Sequence, residues 1–219
     1  MGIVGFPNVG KSTLVAAVSR ARPKIADYPF TTLVPSLGVV SLGEERSFVM
    51  ADIPGLIEGA AEGAGLGHRF LKHVERCRVL LHVVTLDPDP SRAPLDDYDV
   101  ILRELERFDP VLAKRPMLVA VSKIDLPDVK KRVATIRRGM KKRGVDQVLA
   151  FSAATREGLD ELLVALEALL QENFERPLPR AVPRALATGA LAGADAADGE
   201  GESHDVDDGV RFVVHDERG

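Results

Sequence analysis

Apolar runs alternate with amphipathic stretches along the first 174 positions. Residues 2–5 read as a short strand. Residues 12–20 read as a helix with Leu14, Val15 and Val18 on one side. Residues 37–42 and 47–52 form two strands around a Gly43-Glu44-Glu45-Arg46 turn. Residues 79–86 are almost unbroken apolar sequence, the pattern of a strand covered on both faces, and 117–122 repeat it. Residues 98–108 read as a helix, and Val129, Val133, Ile136 and Met140 recur at helical spacing. A strand over 148–151 and a Leu- and Ala-rich helix over 159–170 close the series. Six strands and about five helices in this order predict an α/β doubly wound, mostly parallel sheet with one antiparallel hairpin.

The composition changes after Asn173. Pro177, Pro179 and Pro183 end regular structure, and Ala, Gly and acids dominate to Asp208. The expected division is a domain over 1–174 and a Pro/Ala/Gly-rich acidic linker or tail, expected to be disordered, over 175–219. Asp195 to Gly219 holds nine acids and two bases, a charge of −7, so the remaining 194 residues carry +3. A mildly basic body therefore precedes a strongly acidic end. Apolar residues at 45% and charged residues at 28% give a globular balance. A single cysteine, Cys77, excludes an intramolecular disulfide framework and fits a reducing cytoplasm. No apolar run reaches bilayer length, and residues 1–12 lack a basic signal start, so no membrane partner is expected. Aromatics at 5% with no Trp argue against base stacking as a main activity.

The most specific motif is Gly5-Phe6-Pro7-Asn8-Val9-Gly10-Lys11-Ser12, a G-x-x-x-x-G-K-[ST] phosphate loop between strand and helix. Its glycines let successive N–H groups turn toward phosphate oxygens, and the helix start adds donors and dipole. Lys11 would reach the β- and γ-phosphates, and the Ser12 hydroxyl would ligate Mg²⁺. Farther on, Ser122-Lys123-Ile124-Asp125 follows a buried strand at the carboxyl edge where α/β ligands bind. A carboxylate there accepts from guanine N1–H and the 2-amino group. Adenine offers no such pair, so Asp125 argues against an ATPase. The Lys123 stem can lie over base and ribose. Ser152-Ala153-Ala154, after the last strand, offers a backbone N–H to guanine O6. Each base motif is weak alone; in this order, behind a phosphate loop, they are strong.

Two further segments lie between these motifs. Asp27-Tyr28-Pro29-Phe30-Thr31-Thr32 follows the first helix, and Asp52-Ile53-Pro54-Gly55 ends the third strand. Asp52 can hold Mg²⁺ through water, and the Gly55 N–H can meet a γ-phosphate. Five glycines from Gly55 to Gly67 suit a segment ordered by a γ-phosphate and released on hydrolysis.

The run from Asp52 to Gly65, with DYPFTTLVPSLG at 27–38, resembles the GTPase domain of the Obg family. The resemblance spans about residues 2–171 and implies a Ras-like P-loop fold. It implies nucleotide contacts at Gly5 to Ser12, at Phe30, Thr31, Thr32, Leu33 and Val34, and at Asp52, Ile53, Pro54 and Gly55. It implies others at Ser122, Lys123, Ile124 and Asp125 and at Ser152, Ala153 and Ala154. Mg²⁺ falls on Ser12 and Thr32, with Asp52 behind water. The implied activity is a GTPase switch acting in large-subunit ribosome biogenesis.

Two features depart from the family. Its base motif opens with Asn where this chain has Ser122, which predicts weaker guanine-nucleotide binding. Its glycine-rich N-terminal domain has no counterpart before Gly5, so a fragment is one expectation and the first strand looks clipped. Leu56 stands where Ras-type enzymes use Gln to orient water, so slow hydrolysis is expected, carried by Lys11, Thr32, the Gly55 N–H and Mg²⁺. Asn8 is a candidate K⁺ ligand that would supplement them, or a cap for its own loop.

Between Lys130 and Arg143 lie eight bases and no acid. A solvated helix face is the ordinary reading, and ribosomal RNA is the partner it would otherwise fit. His68 and His73 miss metal-pair spacing. Glu58 and Glu62 read as solvated, Cys77 as packing, and His82 as a hydrogen-bonded core histidine. The expected molecule is a monomer binding GTP and GDP. The alternative is a guanine-nucleotide sensor with negligible turnover.

Overall fold

The computed structural model describes residues 1–19, 24–25, 36–42, 46–52, 77–89, 92–108 and 110–174. Among the described residues seven strands form one sheet: β1 (Gly2–Val4), β2 (Lys24–Ile25), β3 (Ser36–Ser41), β4 (Ser47–Asp52), β5 (Leu80–Val84), β6 (Met117–Val121) and β7 (Val148–Ala150). Among the described residues five helices accompany them: α1 (Lys11–Val18), α2 (Pro94–Phe108), α3 (Pro110–Ala113), α4 (Pro127–Lys142) and α5 (Leu159–Glu172). The strand order is β2-β3-β4-β1-β5-β6-β7. β1 runs parallel to both β4 and β5, and β5, β6 and β7 continue parallel. β2, β3 and β4 are antiparallel neighbours.

The expected six-stranded, mostly parallel α/β sheet is present, with a two-residue edge strand, β2, added. The parallel strands β1, β5, β6 and β7 end a residue or two inside the apolar runs. In the run 79–86, for example, only Leu80–Val84 pair as strand. Helix α2 starts at Pro94 rather than at Tyr98. Proline is compatible with a first helical turn, where no N–H is needed, and Asp96 and Asp97 favour the positive end of the dipole.

Period-two alternation along buried strands separates two faces. Ile3, Leu81, Val83, Leu118 and Ala120 pack with α1 and α5, through Leu14, Val15, Leu162 and Leu166. Val84, Val119 and Val121 pack toward Tyr98 of α2 and Val129, Ile136 and Met140 of α4, while Val4 and Leu80 meet Ile101 and Leu105. The ends of β1, β6 and β7 thus point their following loops to one edge of a sheet covered on both faces. The first strand is bonded on both sides, and Met1 extends it: its carbonyl accepts from Ala51 N–H at 3.0 Å, and its ammonium donates to Val49 O at 2.8 Å.

Candidate nucleotide site

The loop between β1 and α1 turns on two glycines. Gly5 has φ 148° and Gly10 φ 95°, conformations that a Cβ opposes. Space repeats the demand at Gly5, where a Cβ would run into the Val83 carbonyl. Asn8, at φ 63°, is the left-handed residue between them, a conformation asparagine tolerates better than most. Gly10 is the N-cap of α1 and no side chain caps it, so the first-turn N–H groups remain directed into the loop. Lys11 is buried. Its Nζ donates to the carbonyls of Gly5 at 2.8 Å and Phe6 at 2.9 Å. Burial pushes its pKa down, with Asp52 pulling the other way. A desolvated ammonium beside an uncapped helix start is a strong anion receptor.

Ser12, one residue into α1, donates through its hydroxyl to Asp52 Oδ2 at the end of β4. Asp52 is 5% exposed, and its Oδ1 has no hydrogen-bond partner among the described residues. A buried carboxylate oxygen without a donor, beside a serine hydroxyl, is a hard-oxygen pair that fits Mg²⁺. Among the described residues no cluster of three or more His, Cys, Asp and Glu is present.

The base-reading loops converge on the same edge. Ser122 is 2% exposed, and its Oγ donates to Val9 O at 2.6 Å, tying the loop after β6 to the phosphate loop. Its carbonyl accepts from Thr85 Oγ1 at 3.1 Å. Lys123 takes φ 60°, which turns the chain so that Ile124 is buried and Asp125 is exposed. Ile124 N–H reaches Phe151 O at 3.3 Å, joining the two base loops. The Ser152 N–H is committed to Glu157 O at 2.8 Å, and its Oγ accepts from Thr155 N–H at 3.1 Å. Both Ser152 groups are therefore engaged within its own loop.

Residues 1–123 match the family described as 50S ribosome-binding GTPases. The chain belongs to that family. Within it, the chain is similar to proteins named GTPase Obg. It is 58% identical over 172 residues to the GTPase Obg of Symbiobacterium thermophilum, covering 78% of this chain and 40% of that protein. It is also 58% identical over 178 residues to the GTPase Obg of an Anaeromyxobacter species, covering 80% of this chain and 50% of that protein. The chain thus spans about half or less of the length of these curated relatives. Among solved structures, the G domain of the T. maritima FeoB iron transporter is similar in fold, at TM-score 0.57 and 22% identity over 77% of this chain and 96% of that one. Era solved with MgGDPNP and a segment of 16S ribosomal RNA gives TM-score 0.56 and 26% identity, over 83% of this chain and 57% of that one.

Part of the expected Obg-type site lies outside the described residues: Phe30 to Val34 with the magnesium candidate Thr32, Ile53 to Gly55, and Leu56. So do Glu58, Glu62, His68, His73 and the tail 175–219. One expectation is corrected. His82 is fully buried, but it is not hydrogen-bonded; neither ring nitrogen has a partner among the described residues. Its position in β5 aims it, with Leu80 and Val84, at the apolar α2 side, where its ring stacks on Tyr98 at 4.9 Å. Cys77 is buried, and burial pushes its thiol pKa up, in keeping with packing.

Three contributors had no readable motif. Arg156 donates to Ala17 O at 2.9 Å, tying the last base loop to the end of α1. Thr85 holds the Ser122 carbonyl. Arg92 packs its guanidinium over the Phe6 ring. A cavity of about 510 Å³ between Tyr98, Met117, Val145 and Leu169 lies toward the opposite end of the strands and contains none of the site residues.

Proposed function

We propose that this chain is a guanine-nucleotide switch that hydrolyses GTP to GDP and phosphate with Mg²⁺. The observation that carries the reading is the buried Lys11 within the phosphate loop, beside Ser12 bonded to Asp52. In this reading Lys11 leaves the Gly5 and Phe6 carbonyls for the β- and γ-phosphates, and the α1 first-turn N–H groups take the remaining oxygens. Ser12 and Thr32 would hold the metal, with Asp52 behind water. Bound there, Mg²⁺ supplies charge neutralisation on the phosphates. Asp125 would accept from guanine N1–H and the 2-amino group, Lys123 would cover the base, and Ala153 or Ala154 would donate to O6.

Phe30, Thr31, Leu33, Val34, Ile53, Pro54 and Gly55 would complete the nucleotide contacts, with the Gly55 N–H on the γ-phosphate. Leu56 cannot orient water, so intrinsic turnover is slow, and Asn8 with K⁺ would supplement it. Phosphate release from GTP by the purified chain, in K⁺ and in Na⁺ with ATP as control, tests this. GTP-specific release supports it, and equal rates in the two salts remove the role of K⁺. Ser122 and Leu56 favour the second reading, a sensor. Tight GDP binding without turnover would establish that instead.

The large ribosomal subunit is the proposed partner, and the reading locates the chain in the cytoplasm as a monomer. Helix α4 is the proposed contact. Some bases of α4 and its C-cap are already engaged: Lys130 pairs with Glu157 at 2.9 Å, Arg143 with Asp99 at 2.7 Å, and Arg137 donates to Val148 O at 3.0 Å. Arg132, Lys141 and Lys142 are exposed. Arg132→Glu with Lys141→Glu should weaken co-sedimentation with large subunits and flatten its salt dependence. Unchanged binding would leave α4 a solvated face.

A further inference from the structure

We propose that Arg92 is a positioning residue for the phosphate loop: held by Asp87 and Asp97, its guanidinium braces the Phe6 ring and so fixes the loop backbone that meets the nucleotide. The inference rests on the nucleotide reading above and deepens it. Phe6 is the second residue of the loop, and its carbonyl is one of the two that Lys11 holds, at 2.9 Å. The Arg92 guanidinium carbon lies 4.4 Å from the centre of the Phe6 ring, within cation–π range. The plate cannot turn. One terminal nitrogen meets Asp97 Oδ2 at 2.6 Å, Nε meets Asp97 Oδ1 at 3.3 Å, and the other terminal nitrogen meets Asp87 Oδ2 at 2.5 Å. Asp97 is itself anchored in the first turn of α2, where its N–H bonds to Ala93 O at 2.9 Å. The brace therefore joins the loop after β5 and the start of α2 to the phosphate loop.

Two features separate this from a second phosphate-binding cation. The two carboxylates satisfy and over-neutralise the guanidinium, so it acts through Phe6 and not on phosphate. The contact is also independent of Lys11. When Lys11 moves to phosphate, the Gly5 and Phe6 carbonyls lose their ammonium tether, and the Arg92–Phe6 contact is one that binding does not consume. A loop held in its binding shape loses less freedom when the nucleotide arrives.

The test is affinity of the full chain for a fluorescent GDP analogue with Mg²⁺, alongside the nucleotide-free melting temperature. The variants are Arg92→Gln, Arg92→Lys, Phe6→Leu and the Arg92→Gln/Phe6→Leu pair. Arg92→Gln and Phe6→Leu should each weaken binding about fivefold. The pair should be no worse than either alone, and Arg92→Lys should recover part of the loss. The melting temperature should move by less than about 2 °C in Phe6→Leu and fall in Arg92→Gln, where two carboxylates lose their partner, so affinity is the deciding readout. A role in stability alone would lower the melting temperature and leave affinity within twofold, and independent losses that multiply in the pair would also overturn the proposal. Should Arg92→Gln not fold, Arg92→Lys alone and paired with Phe6→Leu decides instead, because lysine keeps a cation for both carboxylates: a loss in Arg92→Lys that does not multiply in the pair supports the brace, and an affinity within twofold of wild type overturns it. A wild-type chain that binds no GDP overturns the nucleotide reading and this inference with it; wild-type binding with unaffected variants overturns only the inference.

Discussion

Ser122 spends its one hydroxyl on the phosphate loop. It is buried at the edge of β6, donates to Val9 O at 2.6 Å, and leaves the base side without an amide. An asparagine there would keep a donor for the loop and add an acceptor and a second N–H. Ser122→Asn should therefore tighten GDP binding about fivefold, the worth of roughly one hydrogen bond. Titration with a fluorescent guanine nucleotide reads this directly, and an unchanged affinity would sink it. Asp52→Asn is the complementary case. It keeps the shape beside Ser12 but removes the charge that suits the cation, so the Mg²⁺ needed for half-maximal nucleotide affinity should rise about tenfold or more. A magnesium requirement equal to wild type would show that Asp52 is only a hydrogen-bond acceptor. The identity of these residues was legible in the sequence, since motif and order name them. The bonds from Ser122 to Val9 and from Ile124 to Phe151 were not, because they join loops far apart in the chain.

The working element is the β1–loop–α1 unit. Its geometry depends on Gly5, whose φ of 148° and approach to the Val83 carbonyl exclude a side chain. Gly5→Ala should cost about 1–3 kcal/mol in equilibrium denaturant unfolding, from strain and from pushing β1 off β5. A loss below about 0.5 kcal/mol would mean that the loop adapts. Element type was readable wherever the pattern was long: buried runs for β5 and β6, helical spacing for α4 and α5. Element ends were not. β2 has two residues and exists through pairing with β3, which local pattern does not reveal. Helix α2 extends back to Pro94 because its first turn is stabilised by position and dipole, while a proline and two aspartates look like loop.

For the molecule as a whole, His82 links the sheet to pH. Burial holds its pKa down to about 3, with Lys11 adding to the effect. The unfolded chain has the ordinary value of about 6.5. Between these values the unfolded state binds the extra proton, so stability is full above the upper value and is lost as pH falls, by about 1.4 kcal/mol per pH unit from this group. Denaturant unfolding of wild type and His82→Leu at pH 7 and pH 5 checks it. The variant should lose most of that pH dependence, and an identical drop in both proteins would assign it elsewhere.

The sequence by itself determined the strand–helix alternation, the phosphate loop, the order of the base motifs and hence the family. Those are local properties: periodicity follows from 2.0 and 3.6 residues per repeat, and motif chemistry follows from residue types at short spacing. Only the tertiary structure decided which side of β5 would carry His82, that Ser122 would latch the phosphate loop, and that Arg92 would lie on Phe6. Each depends on which distant segments the sheet order makes neighbours, and on burial, which turns an ordinary imidazole or hydroxyl into a group that must find a partner or do without one.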